Sequence, residues 1–256
     1  MTALVLALIA GAVVGLALGG LGGGGSMLAV PALIYLLGFT PAYAGTAALL
    51  IVAATSLTGL LAHARAGRVR WRTGLLFAAA GLPVAAAAGA LSARLPAAVL
   101  TAGFATLAAV AAWRMLATAR KSPPAATRQD GQAPRPSIVR SAGTGAGLGA
   151  VTGLLGVGGG FLAVPALVSV LAFTMAEAVG TSLLVISANS LAALVPRLGA
   201  TGGLHWAVIA PFTAAAVLGA WDGKRLADRF SGRTLQTAFA VALLAVAALM
   251  LADALR

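Results

Sequence analysis

Long apolar runs separated by short polar breaks fill this chain. Ten can be marked off: residues 3–20, 27–37, 45–62, 73–91 and 97–117, then 142–155, 161–171, 178–195, 204–221 and 234–254. The runs are continuous and rich in Ala and Leu, without the period-two alternation of a membrane strand. Most are long enough to cross a bilayer as a helix, so the pattern predicts an all-α polytopic membrane protein with about 8–10 membrane segments. Runs 27–37 and 161–171 are too short for a hydrocarbon core of about 30 Å. They read as half-helices or as crossings where the protein is thin, because non-helical backbone at membrane depth survives only inside protein or along a cavity.

The pattern occurs twice. GLALGGLGGGGSMLAVPAL at 15–33 is matched by GAVTGLLGVGGGFLAVPAL at 149–167. The echo continues through Phe39-Thr40 and Phe173-Thr174, Gly45-Thr46 and Gly180-Thr181, and Trp71 and Trp206. Two duplicated regions are expected, 1–117 and 141–256, joined by a linker at 118–140 whose Pro, Arg, Gln and Asp content reads as a disordered tether. In both halves glycines interrupt the apolar run and a proline follows, Pro31 or Pro165. Paired discontinuities at corresponding places point to a binding site built from broken membrane helices, as in secondary transporters.

Composition narrows the class. Of 256 residues, 61% are hydrophobic and 9% charged, a balance foreign to soluble domains. The formal charge of +12 has a membrane explanation: Lys and Arg gather in cytoplasmic loops. No basic soluble domain accompanies it, so nucleic acid is not an expected partner. Cysteine is absent, which removes disulfides and thiolate metal sites. With two His and five acids, no metal or cofactor is expected. The first twenty residues lack a basic n-region and read as part of the repeat, not as a cleaved signal.

The basic residues also bear on topology. If each half crosses an odd number of times, Arg65–Arg72, the linker basics with Arg114, and Lys224–Arg233 share one face, 14 of the 17 Lys and Arg. An even number sends the last cluster to the other side. The odd count obeys the positive-inside rule better and makes the repeats inverted, with the linker cytoplasmic.

At GGGGSMLAVPAL and GVGGGFLAVPAL, with the duplication and the basic linker, the chain resembles the TauE/SafE family, also called the sulfite exporter or 4-toluene sulfonate uptake permease family. The resemblance covers essentially the whole chain. It implies a carrier in the bacterial inner membrane that moves sulfite, organosulfonates or similar sulfur-containing anions, without specifying which. It implies no enzymatic activity.

A helix restarting after a glycine break offers free N–H groups and the positive end of its dipole to an anion. Here those donors come from Gly22, Gly24, Gly25 and Ser26 in the first half, and from Gly156, Gly158, Gly159 and Gly160 in the second. Thr46, Thr181 and Asn189 stand out among the polar residues of the third segments as further donors. Thr46 and Thr181 are repeated, and a mid-helix amide is costly unless paired. The bland alternative is close helix packing for the glycines, which suits Gly11, Gly15, Gly19, Gly145, Gly149 and Gly153, and back-bonding within the helix for Ser and Thr. Glu177, Arg197 and His63 read as interfacial anchors, with proton coupling or anion attraction as the sharper alternative. Trp71 and Trp206 read as membrane-belt residues. Two other classes stay open: a channel-like or structural subunit, and an intramembrane serine protease using Ser26 with His63 or His205. Against the protease, Gly160 occupies the place of Ser26 in the second copy, and no G-x-S-x-G is present. The expected partners are the lipid bilayer and a small anion; a homodimer is left open.

Overall fold

The computed structural model describes residues 2–22, 28–30, 32–92, 97–121, 137–155, 162–195 and 205–254, all of it helix and connecting turn. The first half contains α1 (Thr2–Leu21), α2 (Ala32–Leu36, one wide turn), α3 (Pro41–Arg65), α4 (Trp71–Ser92) and α5 (Ala97–Lys121). The second contains α6 (Ile138–Leu155), α7 (Ala163–Ser169), α8 (Met175–Leu194), α9 (Trp206–Ala227) and α10 (Gly232–Ala254). Each predicted run holds a helix, and the two short runs hold the two shortest, α2 and α7. Several helices outrun their apolar stretch, because local chemistry at the ends extends them. α3 begins on Pro41, which suits a first turn. α8 begins at a capping box between Thr174 and Glu177. Among the described residues five helices are long and apolar enough to cross a membrane: Leu4–Leu21, Tyr43–Arg65, Trp71–Ala88, Met175–Leu194 and Trp206–Ala227.

Glycine makes the tightest contacts. A Cβ on Gly11, Gly15 or Gly19 would run into the backbone of Phe212, Ala216 or Ala220, so α1 and α9 touch main chain to main chain. α4 meets α6 the same way: a Cβ on Gly81 would sit 2.9 Å from the Gly145 carbonyl oxygen, and one on Gly149 would strike Gly81. Small residues let membrane helices approach this closely, where dispersion replaces the missing hydrophobic drive.

These contacts also fix directions. Positions 11, 15 and 19 meet 212, 216 and 220 in rising order, so α1 and α9 are parallel. α4 and α6 are parallel by the same test, 77 with 145 and 81 with 149. α3 and α8 are antiparallel: the Gly180 position abuts His63, Gly59 abuts Leu183, and Ser56 meets Ser187. The last turns of α5 meet the first of α10, where Gln236 Nε2 donates to the Met115 carbonyl at 2.8 Å. The main pairings are therefore reciprocal between the halves, first helix with fourth, third with third, fifth with fifth. Gln236→Leu is expected to cost about 1 kcal/mol, typical of one interhelical hydrogen bond in a membrane bundle, and thermal unfolding in detergent would register it.

The same contacts gather Arg65, Arg68, Arg70, Arg72, Arg140, Lys224, Arg225, Arg229 and Arg233 at one end of the bundle, together with the ends of α5 and α6 that border the linker. Trp71 opens α4 at this arginine-bearing end and Trp206 opens α9 at the opposite one. Both are half exposed, as belt residues at two interfaces should be.

One turn recurs at the two positions that the sequence echo pairs. Gly38 has φ 69° and Ala172, its counterpart, has φ 56°. Each precedes a phenylalanine whose N–H returns to a leucine carbonyl, Phe39 to Leu33 at 3.0 Å and Phe173 to Leu167 at 3.1 Å. The left-handed conformation suits Gly and strains Ala by about 1–2 kcal/mol. Ala172→Gly is accordingly expected to stabilise the protein, by about 1 kcal/mol after the added unfolded-state entropy, visible as a raised melting temperature.

Candidate functional site

The buried polar side chains concentrate where α3 crosses α8. Thr55 and Ser56 from α3 and Ser187 from α8 are buried at mid-helix, and Ser190 is buried near the end of α8. The hydroxyls mostly satisfy themselves. Thr55 donates to the Ile51 carbonyl, and Ser56 to that of Ala53 at 3.2 Å. Ser187 Oγ lies 2.8 Å from the Leu183 carbonyl and 2.9 Å from Ser56 Oγ, so its one proton serves two acceptors. Beside them, Asn189 Oδ1 is buried with no hydrogen-bond partner among the described residues. An unmet amide oxygen in a membrane helix is expensive; as an acceptor it can take only a donor group, so a contact to an anion's oxygens would have to come from Nδ2.

One glycine break enters the described structure at its edge. Gly22 closes α1 with φ 68°, its N–H on the Leu18 carbonyl at 2.9 Å. A Cβ there would lie 2.6 Å from Ser182 Oγ and 3.3 Å from Val164. The first break thus starts against α7 and α8 of the other half, two turns inside α8. Gly24, Gly25, Ser26, Gly156, Gly158, Gly159 and Gly160 lie outside the described residues, as do Arg197 and residues 122–136 of the linker.

Thr46 and Thr181 are both buried, but the antiparallel register keeps them apart. Measured from the Ser56–Ser187 contact they lie in opposite directions, about 24 Å apart at 1.5 Å per helical residue. Thr181 Oγ1 accepts the Arg70 N–H at 3.1 Å, tying α8 to the α3–α4 turn. Thr46 sits toward the opposite end, so the two do not share one coordination shell.

The arginine-bearing end is closed by ion pairs between the halves. Arg68 pairs with Asp228, which also takes Lys224 Nζ at 2.9 Å. Arg70 embraces Glu177 through Nε at 2.9 Å and Nη2 at 2.5 Å. Glu177 also caps α8, since Thr174 N–H donates to its Oε2 at 3.2 Å. Arg65 stands 5.9 Å over the Trp221 ring. Burial alone would raise the Asp228 carboxyl, but hydrogen bonds and charge from Arg68 and Lys224 outweigh it and hold it below the usual carboxylate value. Glu177 is therefore a structural link, as its anchoring role in the sequence implied.

Sequence reasoning undervalued His63. Lying beside an arginine cluster at a helix end, it resembled an interfacial anchor. In the structure it is 1% exposed, with Nε2 3.1 Å from the Gly19 carbonyl of α1. The missing signal was three-dimensional: α1 covers it.

A helical bundle with several membrane-length helices, apolar side chains turned outward, and arginines gathered at one end is a multi-pass α-helical membrane protein. Its sequence matches the family described as Sulfite exporter TauE/SafE over residues 7–250. A probable membrane transporter protein of Xylella fastidiosa strain 9a5c is 32% identical over 248 residues, spanning 95% of this chain and 93% of that protein. Its counterpart in strain Temecula1 is 31% identical over the same length and shares. No solved structure matches. The chain belongs to the TauE/SafE family of membrane transporters.

Proposed function

We propose that this protein is a secondary carrier for a small sulfur-containing anion, sulfite or an organosulfonate, working by alternating access between two inverted repeats, 1–117 and 141–256. The observation that carries the mechanism is direction: each helix of the first half runs opposite to its counterpart in the second, α1 to α6, α3 to α8, α4 to α9 and α5 to α10, the relation expected of inverted repeats. The anion enters a path along the α3–α8 crossing. Asn189 supplies its Nδ2 donor, and the two glycine breaks supply backbone N–H groups, from Gly22, Gly24, Gly25 and Ser26 and from Gly156, Gly158, Gly159 and Gly160. Thr46 and Thr181 line opposite ends of that path. Several acceptor oxygens and a fixed negative charge suit such donors, with no metal and no bond chemistry required. The positive residues at one end support a cytoplasmic location for that end and for the linker 118–140, with the carrier in a bacterial inner membrane.

On this reading the ion pairs Arg68–Asp228 and Arg70–Glu177 act as the gate at the arginine-bearing end. The chain has no cysteine, so Arg68→Cys with Asp228→Cys gives a clean pair for a bis-maleimide, whose thioether bridge sulfite does not cleave. Bridging is expected to stop sulfite flux in proteoliposomes, while the same double variant left unbridged transports. Full flux through the crosslinked protein would contradict alternating access at this end.

A further inference from the structure

Beneath the ion pairs lies a cavity of about 140 Å³, lined by Gly20, His63, Arg68, Val179, Asp228 and Leu235 among others. It draws on both halves and sits beside the end of α1, where the first glycine break begins. His63 is its one buried titratable group. The ring's Nε2 faces the Gly19 carbonyl, an acceptor only, so Nε2 carries the hydrogen in the neutral ring. Nδ1 is then a bare lone pair, buried, with no hydrogen-bond partner among the described residues.

The charged groups acting on His63 are Arg68 from the α3–α4 turn and Lys224 and Asp228 from the end of α9. The residues that α1, α8 and α10 add to the cavity wall, Gly20, Met175, Ala176, Val179, Gly232 and Leu235, carry no charge. Two cations against one carboxylate leave the surroundings positive, and Asp228 is already engaged by both. A proton on Nδ1 adds a further positive charge and a buried N–H donor with nothing to receive it. An anion entering the cavity supplies both the countercharge and the acceptor. Proton and anion therefore favour each other's binding, and by linkage the effect is reciprocal.

We propose that this cavity is an anion subsite of the carrier in which His63 takes up one proton with each anion, its Nδ1–H donating to an anion oxygen. The proposal rests on the carrier reading above and adds the coupling ion. The proton comes from water at the cytoplasmic end, rides on Nδ1 while the anion is bound, and is returned to water when the anion leaves. No bond to the anion forms.

The test uses purified full-length protein, with sulfite as the transported anion and methanesulfonate as a binding probe whose own charge does not change across the range in which histidine titrates. Proton uptake on adding methanesulfonate to weakly buffered protein should approach one per anion bound. Its Kd should weaken with rising pH by about tenfold per unit wherever one proton is taken up per anion. His63→Gln keeps a donor for the Gly19 carbonyl and cannot titrate. It should fold with an unchanged melting temperature, take up no proton, and bind with a Kd that varies less than twofold over the same range. Saturable sulfite flux with binding that releases no pH signal, or a pH dependence that survives His63→Gln, would overturn the coupling and leave the carrier intact. Absence of flux for every sulfur anion would overturn both.

Discussion

Gly15→Leu is expected to prevent the bundle from assembling. The Gly15 α-carbon lies against the main chain of Ala216, so even a single methyl would overlap a backbone carbonyl. No rotamer change relieves that contact, and α1 would have to lift off α9 along much of its length. Overpacking a core ordinarily costs about 1–3 kcal/mol. Against rigid backbone the upper limit is the floor, so a loss of at least about 3 kcal/mol is expected. The variant should fail to accumulate in membranes or should melt far below the parent. Gly149→Leu, which faces Gly81 at the α4–α6 contact, should behave alike. Gly147, two residues away on α6, has nothing within 4 Å of a built Cβ. Gly147→Ala should therefore be neutral or slightly stabilising, by up to about 1 kcal/mol from helix propensity. Equal effects at 147 and 149 would mean that the interface is not where the structure puts it.

Asn189→Leu is expected to separate stability from transport. A polar group that holds a fold together destabilises it when removed; one kept for a ligand does not. Asn189 Oδ1 is buried without a hydrogen-bond partner among the described residues, so an apolar side chain of similar size relieves an unmet hydrogen bond. The melting temperature should hold or rise. Flux should fall at least about tenfold, corresponding to the loss of about 1.4 kcal/mol of anion contact. A variant that unfolds would assign Asn189 to structure, and one that transports normally would remove it from the path.

Much of the architecture was legible in the chain because it depends on local pattern. Apolar runs mark the helices. Spacings such as Gly11, Gly15 and Gly19 mark a close-packed face, which in the structure meets Phe212, Ala216 and Ala220. The relation between helices was not local. Thr46 and Thr181 correspond in sequence and so looked like partners, yet corresponding residues on antiparallel helices lie at opposite ends. His63 was hidden for a related reason: its neighbours in sequence are arginines at a helix end, while its burial comes from Gly19, 44 positions away. Glu177 was visible as an anchor, but Arg70, its partner, belongs to the other half.

The most direct measurement is anion exchange in proteoliposomes, with sulfite, sulfoacetate, taurine, thiosulfate and sulfate compared as internal and external anions. A carrier predicts saturable uptake of one sulfur anion, accelerated by the same anion on the far side, and lost in Gly25→Val and in Gly159→Val while both variants still fold. Uptake that neither saturates nor responds to the trans anion would mean a channel. Exchange that survives both substitutions would reduce the glycine breaks to packing, and no uptake of any of the five would contradict sulfur-anion transport itself.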